Sequence, residues 1–401
     1  MNALLRALRT AFPAGEQRRP SSSVDRQARR AALALSGALP ADTLLYLLLP
    51  MYASDFGVTL PEAGLLLAAN RLVRIVGYRY VQAFYARRGA ATTCTLAVVG
   101  SALCSLGYAT LSGFWALLPF RLLWGLSFAG LNLAAQITST AEPAGAARRS
   151  GRSRGYVALG SALALPIGAV LTDQSGPRLI FFTLTAAALL PLLVTPRLPS
   201  TPHPAANEVR RFRLPNNLDI WSFLEGFTLD GLFVVGLSYM GKDLMPTGAV
   251  IVAGTVSALR YVAEIFLSPV GGHVAERFGP VRALIALSLL TCLALTGFGA
   301  GWLWTCAAAI VVLRALQLPL LPPIVALRTP GPDRLSALAS RAVWRDIGAG
   351  TGPIIAGLLL PFVPSLWIYA ISAACLAVSA MACRHAPARS PETEISSPND
   401  C

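Results

Sequence analysis

Between residues 31 and 384 the chain is a succession of apolar runs, each about twenty residues long, separated by short connections. A helix rises 1.5 Å per residue, so about 20 apolar residues cross a hydrocarbon core of about 30 Å. Inside that core each backbone polar group needs a partner within its own segment, which confines runs of this length to membrane-spanning helices. Twelve spans meet the criterion: 31–52, 60–85, 92–112, 115–138, 155–173, 179–195, 218–240, 247–275, 281–300, 302–326, 337–360 and 364–384. A composition of 55% hydrophobic and 13% charged residues, with mean hydropathy +0.59, excludes an ordinary soluble domain.

The placement of charge orients the spans. The net charge is +14, and of the 33 basic residues only Lys242 is a lysine. With the N-terminus inside, the inner connections hold Arg26, Arg29 and Arg30, then Arg87 and Arg88, then Arg148, Arg149, Arg152 and Arg154. They continue with Arg210, Arg211 and Arg213, then Arg277, Arg328, Arg334 and Arg384, whereas the outer loops offer only Arg178 and Lys242. This alternation predicts both termini in the cytoplasm, and it accounts for the basic balance without a nucleic-acid partner. The seven cysteines are scattered through apolar runs and form neither a disulfide framework nor a metal site. Residues 1–30 are too charged for a cleaved signal peptide; Leu4, Leu5, Leu8 and Phe12 share a face, which reads either as an amphipathic helix on the membrane surface or as a basic tail.

The sequence also repeats. "DTLLYLLLPMYASDF" from Asp42 aligns with "DGLFVVGLSYMGKDL" from Asp230, matching Asp42 and Asp55 to Asp230 and Asp243. Arg71 then falls opposite Arg260, "ARRG" at 86–89 opposite "ERFG" at 276–279, Arg121 opposite Arg314, and "PIG" at 166–168 near "PII" at 353–355. A near-constant offset means two copies of one six-helix unit, and an even number of spans makes the copies parallel. The expected organisation is a basic cytoplasmic segment at 1–30, a six-helix bundle at 31–195, a cytoplasmic linker at 196–216, a second bundle at 217–384 and a cytoplasmic tail at 385–401. Spans 3, 6, 9 and 12 lack ionisable residues in their interiors, so every third helix is expected to face lipid.

"GGHVAERFGPVR" at 271–282, with Gly272, Glu276, Arg277, Gly279 and Arg282, resembles the conformational signature of the major facilitator superfamily between helices 8 and 9. The first copy departs from it, with Gln82 and Ala86 in place of the glycine and the acid. "RLLWGLSFAG" at 121–130 resembles the fourth-helix motif of proton antiporters, and "GSALALPIGAVL" at 160–171 is similar to a degraded form of the exporters' fifth-helix motif. The resemblance covers residues 31–384. It implies an all-α integral membrane fold of twelve helices in two parallel six-helix repeats, working by alternating access without a cofactor. It further implies a small-molecule substrate, protons as coupling partner, a monomer in the lipid bilayer of the bacterial inner membrane and, from the two antiporter-like motifs, efflux.

Asp42 and Asp230 are mid-span and repeat-related, so they are the first candidates for carrying a proton, with Asp346 in "WRDIGAGTGP" next. Arg121 is placed near an acidic group of span 1 by the resemblance, here Asp42, and is the coupling candidate. In "ANRLVRIVGYRY" at 69–80, Arg71, Arg74 and Tyr78 project within about 60° of one another at about 100° per residue. These arginines either pair with acids on span 1 or span 11 as structural glue, or hold an anionic substrate group bidentately, and Arg314 is a further substrate candidate. Deep arginines (71, 74, 121, 260, 314, 341 and 345) outnumber deep acids (42, 225, 230, 264 and 346), which favours anionic or zwitterionic cargo. Asp346 has Arg345 and Arg341 beside it as alternative partners, Arg260 and Glu264 are spaced to pair along one helix, and Glu225 and Asp219 lie near a helix end where solvent can reach. "GLSYMGKD" lacks the Ser or Thr of a phosphate-binding loop, and His203, His273 and His385 are too dispersed for a metal or acid–base site, so neither ATP hydrolysis nor an enzyme is expected. An importer of organic anions and a non-transporting sensor remain as alternatives.

Overall fold

The computed structural model describes residues 22–200, 215–241 and 249–384, and among these it is helical throughout, with no strand. The possible surface helix at the N-terminus, most of the linker, the tail, and Lys242 with Asp243 lie outside the described residues. Among the described residues, nine stretches are long and apolar enough to cross a membrane. The longest, Leu60–Thr110, is two crossings joined at Gly89, whose φ of 75° and ψ of 179° leave the helical region and suit glycine. Two further crossings, Ala249–Phe278 and Asp333–Leu359, bring the total among the described residues to twelve.

Span 1 is Ser22–Met51, spans 2 and 3 share Leu60–Thr110, span 4 is Phe114–Ser139 and span 5 Ala146–Ser175. Span 6 starts as Leu179–Leu189 and finishes in two 3-10 turns, each opened by a proline, to Arg197. Span 7 runs Asn217–Glu225, a π-helical turn Gly226–Leu232, then Phe233–Gly241. Spans 8 and 9 are Ala249–Phe278 and Pro280–Gly299. Span 10 is Leu303–Gln317 and Leu321–Arg328, interrupted around Pro319, which lacks the N–H an unbroken ladder needs. Spans 11 and 12 are Asp333–Leu359 and Ser365–Ala382.

Span 5 begins at 146 instead of 155, so Arg148, Arg149, Arg152 and Arg154 sit on the helix and not in a connection. Arg149 explains the difference: it is buried and donates to the carbonyls of Ser139 (3.0 Å), Ala144 (2.8 Å) and Glu142, covering carbonyls that the end of span 4 leaves free. Two apolar cores form, one from residues 31–198 and one from 218–383. Their buried members are exchanged at the end of the bundle carrying the 4–5 and 8–9 connections, where Val325, Leu335, Leu338 and Ala339 join the first core and Ala147 the second; the partly buried Ala258, Tyr261, Ala342 and Val343 also pack on the first core. We call the end carrying those connections the basic end. In lipid there is little hydrophobic drive between helices, so close approach relies on small residues. Gly151 of span 5 packs against span 8 so tightly that a Cβ there would stand 3.1 Å from Gly272 Cα, and one on Gly231 of span 7 would stand 2.6 Å from Gly352 Cα of span 11. Leu96, Leu103, Phe182, Leu190, Leu293, Trp367 and Ile371 on spans 3, 6, 9 and 12 are exposed, as lipid-facing side chains must be.

Candidate functional site: a charged layer between the halves

In the first half, Asp42 of span 1 meets Arg121 of span 4 at 2.6 Å. Arg121 is fully buried, its Nε donates to the Leu66 carbonyl at 3.0 Å, and its guanidinium lies 5.5 Å from the Tyr46 ring and 6.0 Å from that of Tyr108. Asn70 of span 2 donates to the same carboxylate at 3.5 Å, and Tyr46, whose hydroxyl donates to the Leu67 carbonyl at 2.9 Å, lies 3.2 Å from Asn70 Oδ1. One guanidinium therefore compensates Asp42.

The repeat-related acid is treated differently. Asp230 pairs directly with Arg314, accepts from Arg345 at 2.6 Å and has Arg260 at 3.7 Å. Glu264 joins Arg260 (3.5 Å) and Arg314 (3.4 Å), and Glu225 pairs with Arg345 at 2.8 Å. Asp230 sits in the π turn of span 7, where the extra residue per turn rotates the following side chains and aims the carboxylate into the arginine cluster. Two expectations from the sequence are corrected here. Glu225 is buried in this network and not solvated. Asp219 is buried as well, closing a capping box with the Asn216 N–H at 3.0 Å and accepting from Ser340 at 3.4 Å.

Between the halves, Arg74 of span 2 reaches Asp346 of span 11 at 2.8 Å and lies 4.6 Å from the Phe128 ring. Asp346 thus bonds across the interface and not to Arg341 or Arg345 on its own helix. Arg71, one turn before Arg74, donates to the Ala349 carbonyl at 3.1 Å, and no carboxylate among the described residues lies within 4.0 Å of it. Tyr78, one turn beyond Arg74, is buried. Thr43, beside Asp42, bonds Ser161 at 2.8 Å and approaches the Tyr261 hydroxyl of span 8 at 3.5 Å.

The signature residues lie apart from this layer, at the basic end. Gly272 packs on the backbone of Ala147 and Gly151; Gly279 has φ 89°, open to glycine; Arg277 lies 5.6 Å from the Phe278 ring. Glu276 is half-buried and Arg282 exposed. Other inter-half contacts cluster there too, including Gly155 against Ile265 and Pro269, and Arg334 donating to the Thr140 carbonyl. In the sequence Arg345 is one of seven deep arginines and a neighbour of Asp346; its place between Glu225 and Asp230 depends on the π turn, for which "GFTLDGL" carries no simple signal.

A model of the Major Facilitator Superfamily matches residues 31–226 and again 220–399. The inner membrane transport protein YnfM of Escherichia coli (strain K12) is 26% identical over 271 residues, 63% of this chain and 65% of that protein, so the match spans less than two thirds of the relative's length. Among solved structures, the human organic anion transporter MFSD10 (TETRAN) superposes with TM-score 0.73 at 17% identity, covering 91% of this chain and 100% of that one. The E. coli fucose:proton symporter FucP does so with TM-score 0.70 at 17% identity, covering 91% and 99%. At these identities the likeness is one of fold. Twelve crossings, paired acid–arginine contacts at repeat-related positions and two consecutive matches to one family converge: the chain belongs to the Major Facilitator Superfamily and is a multi-pass membrane protein.

Proposed function

We propose that this protein is a proton-coupled secondary transporter that exports a small organic anion or zwitterion by alternating access. The observation that carries the reading is the uneven pairing of the charged layer. Arg71 has no carboxylate partner among the described residues, while Asp42 is balanced by a single guanidinium. A guanidinium binds a carboxylate through two parallel hydrogen bonds, so Arg71, with Arg74 and Tyr78 beside it, suits an anionic substrate group. Arg314 is committed to Asp230 and Glu264 and therefore holds the C-terminal cluster in place.

Asp42 suits the proton. Protonating it would leave Arg121 a lone charge in a fully buried position, where Arg121 Nη2 already lacks a partner. Stranding one member of a buried pair costs about 3–5 kcal/mol. About 5.5 kcal/mol carries a two-state equilibrium from 1:99 to 99:1, so protonation at this place is of the right size to shift the conformational balance. Asp230, shared by three guanidiniums, is suited to a fixed structural charge. The contacts at the basic end support a conformation closed there. The arginines of that end, together with the relative's inner-membrane description, support a bacterial inner-membrane location with both termini cytoplasmic. Export rests on the antiporter-like context of Arg121.

The test is accumulation of labelled organic anions in right-side-out and inverted proteoliposomes under an imposed pH gradient. Gradient-driven uptake into inverted vesicles is expected, with loss in Asp42→Asn and Arg121→Ala at unchanged expression. Uptake confined to right-side-out vesicles would make the protein an importer, and normal pH-driven flux in Arg121→Ala would remove the coupling assignment.

A further inference from the structure

A small cavity lies between spans 1, 4, 5 and 10 at the basic end, closed on one side by Pro319 and Pro322 of the second half. Its polar lining is Asn132, Gln136, Ser153 and Arg154, while Ser139 and Ser150 at its edge approach each other at 3.3 Å. Arg154 sits eight residues into span 5, about 12 Å from the helix start at 1.5 Å per residue. Unlike Arg149 one turn earlier, it has no hydrogen-bond acceptor and no carboxylate within 4.0 Å among the described residues. The charged groups that act on it from the facing helices are Glu264, Glu225, Arg314 and Arg345. Both of these acids are already engaged, Glu264 by Arg260 and Arg314, and Glu225 by Arg345.

Arg154 is half-buried, and no carboxylate among the described residues balances its charge at contact distance. The cavity admits one occupant about the size of a water molecule or monatomic ion. Water would solvate Arg154 but leave its charge uncompensated. Each polar neighbour carries a donor: the amides of Asn132 and Gln136, the hydroxyl of Ser153 and the five N–H groups of arginine. Such a set favours an anion. We propose that Arg154, with Asn132, Gln136 and Ser153, forms a second anion site, distinct from Arg71, that takes one small monovalent anion and favours closure of the basic end. The occupant is a free halide, the size of anion the cavity admits. Because span 10 supplies part of the wall, an occupied site links the two halves, and by linkage its occupant stabilises the closed form.

The experiment is thermal unfolding of the purified full-length protein in detergent, followed by tryptophan fluorescence. Sodium chloride or sodium acetate replaces sodium gluconate, an anion too large for the cavity, at constant ionic strength. Chloride is expected to raise the midpoint saturably by about 2–4 °C, and acetate is not. Arg71→Gln should keep this response while losing transport, which separates the site from the proposed function. Arg154→Gln should abolish it, and Asn132→Leu should raise the half-saturating concentration about tenfold or more. A response to chloride and not to acetate supports the proposal; an equal response to acetate overturns it. No anion-specific shift in the wild type, or an undiminished shift in Arg154→Gln, overturns it. Should Arg154→Gln fail to fold, an unchanged half-saturating concentration in Asn132→Leu does the same.

Discussion

Replacing Asp346 by asparagine cuts the inter-half clasp at its acidic end while keeping the side chain's size. Arg74 and Asp346 are 9% and 13% exposed at their side chains, and their 2.8 Å contact uses one oxygen and one nitrogen. Arg74 Nε and Asp346 Oδ2 are both buried without a partner, so the pair is monodentate. Stranding a fully buried charge costs about 3–5 kcal/mol. The cation–π contact with Phe128 at 4.6 Å is present with either residue and cancels from the difference; because the pair is partly exposed, the cost falls below that of a fully buried charge, to about 2–3 kcal/mol. At about 1.4 kcal/mol per tenfold, the closed form should lose about 30- to 150-fold against the alternative in which Arg74 faces water. Spin labels at the exposed positions Arg88 and Asp333, at the basic ends of spans 2 and 11, would report this. With the native cysteines replaced, Asp346→Asn should move the distance distribution towards longer separations, and the charge swap Arg74→Asp with Asp346→Arg should restore it. An unchanged distribution in Asp346→Asn, or a swap no better than either single change, would refute the clasp.

Asp230→Asn removes the carboxylate shared by Arg314, Arg345 and Arg260, whereas Asp42→Asn removes the partner of one arginine. The first should cost about 3–5 kcal/mol of stability and lower the unfolding midpoint more than the second, while only the second spares folding and abolishes pH-driven flux. Ile75→Glu places an acid four residues after Arg71, matching Glu264 after Arg260 in the other repeat. It should occupy Arg71 and reduce the affinity for an anionic substrate at least tenfold without loss of fold, as measured by half-saturating concentrations in proteoliposomes.

Much of this architecture is legible in the sequence because the bilayer imposes it. Length and apolarity define the crossings, and the offset joining Asp42 to Asp230 and Arg121 to Arg314 places equivalent charges in equivalent helices. What the sequence does not carry is choice of partner. Asp346 has arginines one and five residues away along its own helix, yet it bonds Arg74 on span 2, because interface packing and not chain proximity decides which guanidinium arrives. Glu225 looks terminal by position, but span 7 continues past it through a π turn, so it is interior. Arg149 and Arg154 read alike as loop charges, and only the extension of span 5 to residue 146 separates one that caps carbonyls from one that lines a cavity.

The departure from symmetry is more informative than the symmetry. Both repeats keep the acid of their first helix and the arginine of their fourth, and both make the pair. In the second repeat Arg260 has Asp230 at 3.7 Å and Glu264 at 3.5 Å, whereas in the first the position equivalent to Glu264 is Ile75 and Arg71 rests on a backbone carbonyl. An isoleucine at Glu264 would leave Arg260 and Arg314 short of a counter-charge; an isoleucine at 75 leaves Arg71 short of one already. Two copies built to the same plan thus reach opposite charge states, one internally neutralised and one with a cation to spare. A rigid bundle with all charges matched has no reason to respond to an ion, whereas a deficit placed where the halves meet rewards whichever conformation lets an anion arrive. On this argument the N-terminal repeat supplies both the exchangeable proton site and the substrate charge, and the C-terminal repeat supplies the fixed surface against which they move.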